Sequence, residues 1–184
     1  YPQLGPHYLQ SFLSQNDIMS DIMVLYDKQT KNRELDSHSS ADIGLSGLGM
    51  LLLKHDGAHA ETNFEHQVFG NYDVIGMSVM TPQAPDAYRL NELLKKNYPH
   101  ITTIVGGSHA RYYQKQVVDL PSHMSFDFVV PQDGWKPILE IASGEISRQS
   151  STTVLSNTLP KLTELPPPTR PIALMEKYDF VISG

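Results

Sequence analysis

The sequence predicts an α/β protein, a three-layer sandwich around a parallel β-sheet, on three observations. Two apolar runs rich in Val, Ile and Met, Asp73 to Thr81 and Ile101 to Ala110, each stop at small and polar residues. Runs that do not alternate with polar residues are the pattern of strands buried on both faces of a parallel sheet. Between them, Pro85 to Asn97 sets Ala87, Leu90 and Leu94 on one helical face, with Pro85 tolerated in the first turn. Strand, helix and strand make one βαβ unit, and open α/β sheets bind ligands beyond the carboxyl ends of their strands. Ser78 to Thr81 and Gly106 to His109 are therefore expected as neighbouring lips of one site.

The remaining elements are read in order around that unit. His7 to Gln15 spaces Leu9, Phe12 and Leu13 as a helix packed outside the main sheet. Ser20 to Asp27 is a short apolar run suited to the first strand, and a polar loop from Lys28 to Asp42 follows it. Ile43 to Asp56 resumes helical spacing through Leu45, Leu48 and Leu52, with Gly57 as its cap. Gly44, Gly47 and Gly49 each cost that helix up to about 1 kcal/mol relative to alanine, so a late start near Met50 is the alternative.

Ala58 to Asn63 reads as an edge strand and Phe64 to Asn71 as a short connection. Ala110 to Leu120 is a further helix, Phe126 to Val130 the fifth strand, and Pro137 to Ser143 a last helix stopped by Gly144. Right-handed crossovers then give a flavodoxin-like, Rossmann-like sheet of five parallel strands in the order 2-1-3-4-5, with Ile22 to Tyr26 central. Glu145 to Asn157 reads as a polar hairpin or loose strands, and Leu165 to Pro171 as a stiff, extended spacer. The expected organisation is a helical extension (1–19), an α/β domain (20–144), and a hairpin with a Pro-rich linker (145–184). A spacer followed by only thirteen residues suggests the N-terminal piece of a longer protein, or a tail that folds back over the domain.

Composition narrows the function. With 184 residues, 40% apolar and 18% charged, the chain can bury a real core, and no apolar run approaches the roughly 20 residues of a membrane helix. A cytoplasmic protein without a membrane partner is expected. A net charge of −6 without a basic stripe argues against nucleic acid. Zero cysteines exclude disulfides, thiolate metal sites, cysteine nucleophiles and Cys-ligated iron–sulfur clusters within the chain. The eight histidines form no H-x-x-x-H or H-E-x-x-H pattern on a helix, so no all-protein metal site is expected. Gly106-Gly107-Ser108 has neither a phosphate-loop lysine nor G-x-G-x-x-G, and no G-x-S-x-G elbow surrounds Ser78. No catalytic residue is assigned. Small residues at two adjacent strand ends suit a large planar cofactor with a tail. Ser78 and Thr81 offer hydroxyls, and Gly106 and Gly107 allow close backbone approach.

Ser78-Val79-Met80 followed by Gly106-Gly107 resembles the S-x-L and G-G elements of cobalamin-binding domains. Two registers remain for that family's D-x-H-x-x-G element, whose histidine ligates cobalt. The preferred one lays Ser39 to Gly44 on it, with Ser39 for the Asp and Ala41 for the His; the other uses Asp36 to Ala41 and makes His38 a weak candidate ligand. Loss of the ligand, Tyr72 to Thr81, Tyr98-Pro99, Val105 to Ala110 and the Pro-containing Leu162 to Pro168 resemble the cobalamin domains that precede radical S-adenosylmethionine (radical-SAM) cores. That family usually has Pro where Ser108 stands and G-E-G-E where Gln132-Asp133-Gly134-Trp135 stands.

The resemblance, over roughly Ser20 to Arg170, implies a cobalamin-binding module of a radical-SAM enzyme such as a methyltransferase. It would present base-off cobalamin to a partner catalytic domain that alone carries S-adenosylmethionine and the iron–sulfur cluster. The implied cofactor-binding residues are Ser39, Ala41, Asp42, Gly44, Ser78, Met80, Thr81, Gly106, Gly107, Ser108, His109, Gln132, Asp133 and Gly134. The dimethylbenzimidazole tail would enter between the two strand ends, with Gly107 there for access, so that Gly107→Val would block binding and spare the fold. The corrin would lie over Ser37 to Gly44. The alternative is a non-catalytic flavodoxin-like domain that binds a flavin or nucleotide at the same strand ends or acts as an interaction module.

Overall fold

The computed structural model describes residues 4–26, 46–53 and 69–156. Its elements are α1 (Leu4–Gln15), β1 (Ser20–Tyr26), β2 (Ser46–Leu53), β3 (Val74–Ser78), α2 (Ala84–Asn97), β4 (Thr102–Gly106), α3 (Gly107–Tyr112), α4 (Gln114–Val118), β5 (Phe128–Val129), α5 (Trp135–Ala142) and β6 (Thr153–Val154). The six strands of the described residues form one sheet in sequence order, β1 to β6. β3, β4, β5 and β6 run parallel, while β2 is antiparallel to both β1 and β3.

Successive residues of a strand point to opposite faces, and this chain uses the alternation to build two cores. Met50, Leu52, Ile75, Met77, Val105 and Val129 face one way, against Ala87, Leu90 and Leu94 of α2 and against Ala110 and Val117 of α3 and α4. Leu51, Leu53, Val74, Ile104 and Phe128 face the other way, against Leu13 of α1 and against Ile138 and Ile141 of α5. The result is an α/β, Rossmann-like sandwich of three layers, as the sequence predicts.

The βαβ unit matches its sequence reading closely. α2 carries Asp86 in its first turn and Lys95 and Lys96 in its last, charges that suit the helix dipole at each end. Its buried stripe of Ala87, Leu90, Asn91 and Leu94 has helical spacing. Asn91 donates to the carbonyls of Met124 (2.7 Å) and Ser125 (3.0 Å), which fixes the loop before β5. At the amino ends of β4 and β5, buried Asp127 accepts from the Thr103 amide at 2.8 Å and from Lys95 at 3.0 Å.

Several expectations are corrected. Residues 46–53 are a strand, where a helix from Ile43 to Asp56 is expected. Met50, Leu51, Leu52 and Leu53 are each no more than 2% exposed, because a continuous apolar run serves a strand with a core on both faces. This strand stands beside β3, so the sheet is mixed, not wholly parallel, and among the described residues the Ile22 to Tyr26 segment lies at its edge, not its centre. Ala110 to Leu120 is two short helices broken at Tyr113. Of the two readings of the segment after Gly144, hairpin or loose strands, the strand is the one found: Thr153–Val154 extends the sheet parallel to β5. The expected Ala58 to Asn63 strand and the Pro-rich spacer lie outside the described residues.

Candidate functional site

The carboxyl ends of β3 and β4 are paired in register, with Gly76 opposite Ile104 and Ser78 opposite Gly106. On the face toward α1 and α5 these ends present Gly76, Ser78 and Gly106, where the amino ends present Val74 and Ile104. Removing side chains from one end of one face leaves a gap in the close packing of the interior. The gap is a cavity of about 280 Å³. Gly76, Ser78 and Gly106 form its floor, and Leu51, Ile104 and Val130 its walls. Pro6, Tyr8 and Leu9 of α1 and Trp135 and Ile138 of α5 close it from above, and Gln132, Asp133 and Gly134 stand at the β5–α5 turn.

The strand ends are locked by backbone contacts. The Val79 amide donates to the Gly106 carbonyl at 3.0 Å, and the His109 amide donates to the Val79 carbonyl at 2.9 Å. Gly107 makes this junction possible. Its φ is +86°, and a Cβ on it would lie 2.8 Å from both the nitrogen and the oxygen of Val79. The reading of Gly107 as an access residue whose replacement spares the fold is corrected: it lines the cavity, but it is glycine because the turn and the neighbouring strand leave no room. Gly106 and Gly76 are different. A Cβ on Gly106 would meet only the Val130 carbonyl, at 3.5 Å, and one on Gly76 would meet Leu51 and Ile138 at 3.8–3.9 Å. These two positions have ordinary space, and what fills it decides the cavity's size.

His109 is turned away from the cavity. α3 starts immediately after β4, so its third residue points back toward α2. There Nε2 lies 2.6 Å from the Tyr88 hydroxyl and Nδ1 lies 3.4 Å from Thr81 Oγ1, while Tyr113 stacks on the ring at 5.1 Å. Burial lowers the His109 pKa and raises that of Tyr88, so a neutral pair is favoured. Both ring nitrogens are engaged. This histidine braces the strand ends from the filled face.

Of the residues expected from the sequence, the structure brings Ser78, Gly106, Gly107, Gln132, Asp133 and Gly134 together around one cavity. It places Met80, Thr81 and Ser108 on the surface and His109 in the opposite core. Ser39, Ala41, Asp42, Gly44 and the candidate ligand His38 lie outside the described residues. Sequence reasoning missed Gly76, the α1 roof and Trp135. Gly76 did leave a signal, since an isolated glycine inside a strand marks a close approach or an opening. The roof left none, because it depends on where a remote helix packs. Among the described residues no group of three or more His, Cys, Asp or Glu is placed to hold a metal, and no helix is long and apolar enough to cross a membrane.

Residues 55–142 match the family model described as B12 binding domain, a span that covers β3 through α5 and leaves α1, β1 and β2 outside it. No curated protein and no solved structure matches the chain.

Proposed function

We propose that this chain, which carries a B12 binding domain with cobalamin as its cofactor, is the cobalamin-binding module of a radical-SAM enzyme such as a methyltransferase. The observation that carries the site reading is the cavity between the strand ends and the α1/α5 layer. Its volume is at the lower edge of small-molecule pockets, which run from roughly 300 to 1,000 Å³. It therefore suits one fused-ring portion of a large cofactor, with the rest outside.

The dimethylbenzimidazole end of the nucleotide tail fits that description. Gly76, Ser78 and Gly106 would lie under the base, Ile104 and Ile138 along its edge, and Gln132 and Asp133 at the ribose end. No Lys or Arg lines the cavity among the described residues, so a neutral base is the part it favours and the phosphodiester belongs at the mouth. When bound, cobalamin supplies a redox-active cobalt. This chain's residues bind and orient the tail and exclude water from it.

The base-off, histidine-free state belongs to the same reading. Its support is Ala41 at the ligand position in the preferred register, and the engagement of both His109 nitrogens by Tyr88 and Thr81. The partner core is supported by the resemblance of Leu162 to Pro168 to the link that leads into radical-SAM domains. The chain has no cysteine, so on this reading the iron–sulfur cluster would be ligated by residues outside it.

The test is gel filtration of the chain after incubation with hydroxocobalamin. Retained corrin absorption is expected for the native chain, and its loss in Gly76→Val with an unchanged melting curve. A colourless native protein would end the reading. Electron paramagnetic resonance of the cobalt(II) form is expected to lack the triplet splitting of an axial nitrogen. Triplets that vanish in His38→Ala would restore His38 as ligand.

A further inference from the structure

We infer that α1 is a fitted wall of the tail cavity and that, with α5, it makes this chain select a corrinoid whose lower base is benzimidazole-like over one whose lower base is a purine. The inference rests on the cobalamin reading above and deepens it. Its first support is the way α1 meets the site. Pro6 is buried, Tyr8 and Leu9 are half-buried, and a Cβ on Gly5 would sit 3.8 Å from Ser78 Oγ, against the cavity floor. Tyr8 and Phe12 both meet Trp135 edge-on, with ring centroids 5.9 and 5.3 Å away. Leu9 lies 3.5 Å from where a Gly134 Cβ would be. Further along α1, Leu13 is fully buried in the core, so the helix is anchored where it crosses the cavity.

The second support is the distribution of polar groups with depth. Gly76 lies two residues before Ser78 on the same face of β3, about 6–7 Å deeper along the strand. Ser78, Gln132 and Asp133 are at the mouth. The deep end is bounded by Gly76, Leu51, Ile104 and Ile138, which the register and the contacts at Gly76 bring together and none of which has a polar side chain. A flat base inserted from the strand ends therefore places its far edge against hydrocarbon. In dimethylbenzimidazole that edge carries two methyl groups. In adenine it carries a ring nitrogen and an amino group, which would lose water and gain no partner. The roof makes the difference count, because without α1 the same edge would stay wet.

Dissociation constants of hydroxocobalamin and of its adenine-based analogue, measured by equilibrium dialysis with the intact chain, test the inference. Hydroxocobalamin is expected to bind at least tenfold more tightly. Tyr8→Ala should weaken hydroxocobalamin binding at least fivefold and narrow the ratio toward one, with an unchanged melting curve. Gly76→Ser adds a hydroxyl at the deep end where the space is ordinary, and should narrow the ratio even if Tyr8→Ala does not fold. Equal affinities in the native chain, or a ratio unmoved by both variants, would overturn the inference. If neither corrinoid binds, the cobalamin reading itself fails and the inference goes with it.

Discussion

The two faces of this sheet are built from the same strands and end in opposite ways. Toward α2, α3 and α4, Ile75, Met77 and Val105 run to the carboxyl ends of their strands and are each no more than 2% exposed. Toward α1 and α5, the alternate positions Gly76, Ser78 and Gly106 stop short of the helices and leave the cavity. One face carries the stability and the other carries the opening, with a single residue step separating the two roles. A cavity can thus be made by omitting side chains at alternate positions of one sheet face, with Asp133 the one acid among its described lining residues.

That contrast makes the filled face the place of largest effect. Ile75→Ala should cost about 2–5 kcal/mol in chemical denaturation, since it removes a wholly buried side chain from a core with no room to collapse. Gly76→Val, one residue away, should change stability by less than about 1 kcal/mol, because its new side chain enters existing space. Equal losses for the two would mean that the faces do not differ in packing.

Two adjacent glycines sharpen the comparison further. Gly107→Ala should lose about 1–2 kcal/mol for its left-handed backbone, and more for the displacement of Val79. Gly106→Ala should be within about 0.5 kcal/mol of the native chain, since its backbone is extended and its Cβ has ordinary contacts. Thermal melts of the pair would show this split. Similar stability in both variants would return Gly107 to the role of an access residue.

The sequence made β3, α2 and β4 legible because each has one unambiguous period. Residues 46–53 were not, since Leu45, Leu48 and Leu52 keep helical spacing while Met50 to Leu53 form a continuous run, and only the neighbouring strand decides between them. The strand order followed from that error. Even so, Ser78 and Gly106 flank one cavity without β1 beside them, because β3 and β4 pair directly. The site was legible as strand ends, where small residues are visible in any register. Which glycine provides space and which provides a turn was hidden, because φ and the nearest backbone are tertiary facts. His109 was hidden for the same reason.

The outer strand offers a smaller effect. Tyr72 is buried and donates its hydroxyl to Asp21 of β1 at 3.0 Å, a bond that ties the sheet edge to the core. Burial first, and then the Asp21 carboxylate, push its pKa up to about 12 from an ordinary 10.0. The unfolded chain releases this proton near pH 10 and the folded chain does not, so stability is complete below pH 10 and falls as the pH rises toward 12. Tyr72→Phe should lack that decline in urea titrations across the range. A native chain as stable at pH 11.5 as at pH 9 would sever the proposed link.

The smallest expected effect lies at the bracing histidine. His109 is held between Tyr88 and Thr81 beneath the ring of Tyr113, and burial lowers its pKa below the ordinary 6.5. As the pH falls through about 6.5 the unfolded chain takes up a proton that the folded chain refuses. Stability is therefore complete above that pH, declines below it, and levels once the folded histidine also protonates. The informative quantity is the difference between the native chain and His109→Gln between pH 7 and pH 5. The native chain should lose more stability over this interval than the variant. Corrinoid affinity of the variant at pH 7 should stay within about threefold, because the ring faces the filled core and not the cavity. Parallel pH profiles would mean that His109 does not titrate in this window. A large loss of affinity at unchanged stability would mean that the two faces of the sheet are coupled through the Val79–Gly106–His109 backbone contacts, and are not the independent halves their packing describes.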